Sequence, residues 1–199
     1  MKSTARALMV LFSTMFSCAS TAGQSFDVKG IQLGSSLDEL KAHFGDELKC
    51  GATTTDPAFR TAEANLAEQI CSLKNPNSRF GAKAESFAGV PTSIYYWIHG
   101  DKVALISFAE LKPDQFDSVV ATMETKYGKA QIETSTVHNR LGAAFENKVA
   151  TWRGSDVIVY EKLGSRLDSA SRLHFYSHDC WAELERQGAA KKAAAQNDM

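Results

Sequence analysis

The chain has 199 residues, 44% of them hydrophobic, with 22 Lys and Arg against 23 Asp and Glu. That balance leaves no basic excess to grip a nucleic-acid backbone. The apolar content is not that of a disordered chain, and the length suits one domain.

The N-terminal segment reads as a leader. Lys2 and Arg6 precede a ten-residue apolar run, 7–16 (ALMVLFSTMF), too short to span a bilayer. Ser20, Thr21 and Ala22 set small residues for cleavage after Ala22, so residues 1–22 are expected to be a secretory signal peptide. Cys18 sits where a lipobox cysteine would, but the usual leucine is missing and Phe16 is bulky. A lipid anchor at Cys18 is therefore not expected. No later stretch is long and apolar enough to read as a transmembrane segment.

Without the leader, 20 basic residues face 23 acidic ones, a net of −3, and three cysteines remain. In an oxidising compartment Cys50 and Cys71 are the favoured disulfide, because only 20 residues separate them. Closing such a loop stabilises by roughly 3 kcal/mol in the chain-entropy model. Spacing alone leaves pairings with Cys180 open.

Residues 26–33 (FDVKGIQL) read as a short strand. Ser36 with Glu39 forms a capping box, Leu37, Leu40 and Phe44 make a helical stripe, and Gly45 ends it. Asp56-Pro57 opens a second expected helix, with Phe59, Ala62, Leu66 and Ile70 on one stripe. Residues 92–109 are the strongest hairpin signal, with Gly100-Asp101 as a type II′ turn. That turn would set Trp97 opposite Ala104 and Tyr96 opposite Leu105. One face would carry Ile94, Tyr96, Ile98, Val103 and Leu105, and the other Tyr95, Trp97, Ala104, Ile106 and Phe108.

A long helix over 114–127 follows, with Phe116, Val119, Val120, Met123 and Tyr127 inward and Gly128 as its stop. Residues 131–136 read as a strand, 148–153 and 157–162 as a hairpin, and 172–177 as a strand. Asp179 would cap a last helix through Gln187, and residues 188–199 would form a flexible tail. The fold class is α+β: helices packed on an antiparallel sheet, one domain over 23–187.

No catalytic motif stands out, so no catalytic residue, cofactor or metal is assigned. His174, His178 and Cys180 offer metal-ligand chemistry, but their spacing does not bring them together. Cys180-Trp181 at a helix start is similar to the cysteine turn of papain-like proteases, yet no histidine follows Cys180. If helices cover the face bearing Tyr96, Tyr95 and Trp97 lie on the other side. They either anchor a partner or fill a second core layer.

The run 28–40 (VKGIQLGSSLDEL), closed by Phe44-Gly45, resembles the opening of many small proteobacterial envelope proteins. Residues 87–90 (FAGV), the Tyr-rich hairpin and Lys126-Tyr127-Gly128 are similar to the continuation. The nearest named fold is that of β-lactamase inhibitor protein and the small outer-membrane-assembly lipoproteins. The resemblance implies two helix-plus-sheet repeats, 26–110 and 111–187, and an open sheet face that binds a target through Tyr95 and Trp97. The expected function is a periplasmic or secreted binding module for an envelope protein partner, inhibitor-like in character. The alternatives are an envelope hydrolase with a site assembled only in space, or an immunity protein.

Overall fold

The computed structural model describes residues 26–53, 66–77, 82–139, 141–164 and 170–197. The expected leader and most of the helix expected from Pro57 lie outside these residues.

The opening segment is a small ribbon rather than one strand. β1 (Asp27–Val28) pairs with β2 (Ile31–Gln32) through Lys29 (φ 54°) and Gly30 (φ 80°). Positive φ at both central residues is the type I′ pattern, which a lysine does not advertise. The helix α1 (Leu37–Phe44) begins where the capping box places it. Glu39 N–H donates to Ser36 Oγ at 3.1 Å, and Ser36 N–H donates to Glu39 Oε2 at 2.7 Å.

β3 (Leu48–Ala52) and β4 (Gln69–Leu73) are antiparallel neighbours. Ile70, expected on a helical stripe, is therefore in a strand. Alternation in β4 buries Cys71 and Leu73 and leaves Ile70 and Ser72 half-exposed. Cys50 stands opposite Cys71 with Cα atoms 4.0 Å apart, and the two form a disulfide. The amide of Thr53 donates to Glu68 and that of Lys74 to Glu47. That phase makes Cys50–Cys71 a non-hydrogen-bonded pair, the kind that brings opposed side chains closest.

β5 (Ala84–Phe87), β6 (Val90–His99) and β7 (Lys102–Ala109) follow. The hairpin turn is type I′, not II′: Gly100 has φ 53° and Asp101 φ 70°. Aspartate tolerates the left-handed region better than most side chains, which permits this turn. His99 faces Lys102 as expected, but the register then shifts, so Trp97 faces Leu105 and Tyr96 faces Ile106. The shift turns Leu105 onto the face of Trp97, and Ile106 and Phe108 onto the face of Tyr96. The expected faces hold up to Val103 and exchange beyond Ala104.

A 3-10 turn (Pro113–Gln115) leads into α2 (Phe116–Tyr127), whose five expected inward residues are all buried. Then come β8 (Gln131–His138), β9 (Ala144–Arg153), β10 (Val157–Glu161) and β11 (Arg172–Tyr176). The last described element is α3 (His178–Asn197). The hydroxyl of Ser177, not Asp179, caps α3, accepting the Cys180 N–H at 3.3 Å. The helix does not stop at Gln187. Residues 188–196 are helical and exposed, as a run rich in alanine favours.

One antiparallel sheet runs β3-β4-β6-β7-β11-β10-β9-β8, with β5 also on β6. Helices α1 and α2 cover the face bearing Tyr96, Ile106, Phe175, Ile158 and Trp152, where the main core lies. Phe175 is its hub, with ring centroids 5.5–6.5 Å from Phe26, Phe87, Phe108 and Tyr127. Burying each such ring stabilises by roughly 1.5–3 kcal/mol.

Candidate functional site

The opposite sheet face holds the residues singled out from the sequence. Tyr95 and Trp97 alternate on β6, and both are half-buried. Strand pairing then extends two rows across the sheet. Tyr95 faces Ser107 on β7, Ser107 faces His174 on β11, and His174 faces Val159 on β10. Beside them run Trp97, Leu105, Tyr176 and Val157.

The first turns of α3 close one end of this face. Ala104, Leu105, Tyr176 and Cys180 are buried there, with Trp97, Val159, Trp181 and Leu184 packed around them. Trp97 belongs partly to this second core layer, and its indole N–H donates to Ser107 Oγ at 2.7 Å. Tyr176 lies 5.2 Å from the Trp181 ring, over which the Arg153 guanidinium sits at 5.5 Å. Tyr95 lies outside that cluster. Burial raises its hydroxyl pKa first, and the nearby Glu110 charge adds to the rise; a backbone hydrogen bond at Ala82 opposes both.

His174 Nδ1 is 2.6 Å from the Tyr176 hydroxyl, two residues along on the same face. The register thus gathers two hydroxyl-bearing rings, a serine and an imidazole, which donate and accept hydrogen bonds and offer flat apolar surface. Ser107 and His174 can be placed in this row only by knowing that β11 inserts beside β7, which no local pattern carries.

A cleft of about 670 Å³ opens where α3 meets the β6–β7 turn. His99, Lys102, Asp179, Cys180 and Glu183 are among its walls. His99 pairs with Glu68 at 3.0 Å, and Glu68 also accepts the Gly100 N–H at 3.2 Å. Cys180 is buried at the cleft floor.

No protein-family model, curated protein or solved structure matches the chain.

The three residues weighed as metal ligands are held apart. His174 turns to Tyr176, His178 is exposed beside Asp179 at 3.4 Å, and Cys180 is buried in the first turn of α3. Among the described residues no three His, Cys, Asp or Glu side chains surround one point. Among the described residues no helix is long and apolar enough to cross a membrane.

Proposed function

We propose that the protein is a periplasmic or secreted binding module that engages an envelope protein across the sheet face beside α3. The observation that carries this reading is a row of half-buried Tyr95, His174 and Val159 around buried Ser107, on a sheet backed by a packed core. Large rings that expose one edge on a rigid backing supply contact area at low conformational cost. Tyr95, half-buried and outside the second core cluster, is the anchor offered to a partner. Trp97 serves as its neighbour and as the link to the second core layer.

The address rests on the leader-like segment 1–22 and on the cross-strand disulfide, a bond that persists in oxidising compartments. The chain is read as two helix-plus-sheet repeats, in the manner of β-lactamase inhibitor protein. In support, α1 precedes β3, β4, β6 and β7, and α2 precedes β8 to β11. Each set contributes its last strand to the β7–β11 junction.

The test is capture of partners from the native envelope, comparing the wild-type chain with Tyr95→Ala/Trp97→Ala and with Tyr95→Ala alone. Both variants are expected to lose a partner that the wild type retains. Undiminished capture by Tyr95→Ala, with its near-ultraviolet circular dichroism unchanged, would overturn the reading.

A further inference from the structure

Among the described residues strand β8 forms one edge of the sheet, and it is built unlike a protected edge. It pairs with β9 in unbroken register over all its residues, from Gln131 opposite Thr151 to His138 opposite Ala144. It contains no proline, lysine or bulge, devices that usually block an edge, and its one acidic side chain is Glu133. Its side chains are exposed from Gln131 to Thr136, and Ile132 is 48% exposed. The other edge, β3, is shorter and carries Lys49 and Gly51.

The hydrogen-bond phase tells which groups of β8 face outward. Asn139 N–H donates to the Ala143 carbonyl at 3.0 Å, and these two residues continue the β8–β9 register. Hydrogen-bonded pairs therefore fall on the odd residues of β8. The Lys162 N–H to Lys148 carbonyl bond, on the far side of β9, fixes the same phase independently. The backbone N–H and C=O of Ile132, Thr134, Thr136 and His138 point away from the sheet.

We propose that this edge is a self-association surface, on which a second copy of the chain adds its own β8 antiparallel about a two-fold axis at Ser135. This register matches every outward-facing residue with another: Thr134 with Thr136, and Ile132 with His138. The intervening pairs are Glu133 with Val137 and Ser135 with Ser135. No like charges are opposed, and Thr–Thr pairing across strands is favourable. The second strand also covers Ile132. A two-fold axis normal to the sheet keeps both main cores on one side and both Tyr95 faces on the other, so the contact is isologous and closes at two copies.

The test is sedimentation velocity of the chain across a wide concentration range. The wild type is expected to pass from monomer to dimer and to stop there. Thr134→Lys/Thr136→Lys sets lysines opposite lysines, and should weaken the dimer about tenfold or more. Thr134→Pro removes one outward N–H and leaves the β9 ladder untouched, so it should weaken the dimer too. Unchanged circular dichroism identifies the folded variants to be compared. A wild type that stays monomeric at every concentration overturns the proposal. So does a dimer that the folded variants form as tightly as the wild type, and so does open-ended growth beyond two copies.

Discussion

The Trp97 indole N–H on β6 reaches the Ser107 hydroxyl on β7 at 2.7 Å, and the shifted hairpin register makes that contact. Trp97 stands opposite Leu105, and Ser107 opposite Tyr95. In an unshifted hairpin Ser107 would share the face of Ile94, among the rings of the main core. The shift moves it to the face of Trp97 and gives the half-buried indole an acceptor.

Ser107→Ala is expected to lower unfolding free energy by about 1 kcal/mol, the worth of a hydrogen bond whose donor is left with fewer partners. Urea unfolding reads the change. In a Trp97→Phe background the same substitution should cost distinctly less, because the donor is already gone. Equal costs in the two backgrounds would show that the contact contributes nothing.

Asp156 joins three parts of the fold. Its carboxylate is buried in the β9–β10 turn and accepts backbone N–H groups from Phe26 and from His178 at the start of α3. Burial is the largest influence and raises its pKa; those two hydrogen bonds and the His178 charge oppose the rise. A carboxyl with a raised folded pKa holds its proton more tightly when native than when unfolded. In the window between the two values the native state gains stability as pH falls and loses it as pH rises. Wild-type stability minus that of Asp156→Asn should therefore decline as pH rises above the ordinary aspartate value of 3.8 toward the raised folded value, flattening on either side of that window. Urea midpoints across that range read it, and a difference that grows with pH would contradict the assignment.

The Cys50–Cys71 bond joins two neighbouring strands at one edge of the sheet. Reduction should lower unfolding free energy by about 3 kcal/mol, as expected for a loop of this length. Urea midpoints with and without reductant measure it, with Cys180→Ala as the background so that no thiol exchange intervenes. Coincident midpoints would mean that strand pairing alone already fixes the two segments.

Local signals carried the helices well. The Ser36–Glu39 box and the Phe116–Tyr127 stripe each depend on residues three or four apart, and both helices form where those signals put them. The hairpin was legible, but its register was not. The shift near Trp97 is settled by what packs on each face, and that packing includes β11, which comes more than 60 residues later. Ile70 misled because helical spacing from Phe59 and β-alternation both fit it, and pairing with Trp97 on β6 decides for the strand. At the candidate site, alternation alone put Tyr95 and Trp97 on one face. That α3 shares this face, and that Ser107 and His174 complete the row, depends on sheet order, which periodicity does not encode.

β11 has a consequence for how the chain can come together. It is the last strand in sequence, yet it lies between β7 and β10 at the middle of the sheet. Until residues 172–176 are available, β7 and β10 are both open edges, and the main core lacks Phe175. A chain emerging from its N-terminus thus holds two separate half-sheets until nearly its end, and loop closure over long separations is slow. The interval leaves apolar strands uncovered and open to wrong pairing. Losing the C-terminal end as far back as Arg172 would remove the seam that makes the two half-sheets one, not trim a margin.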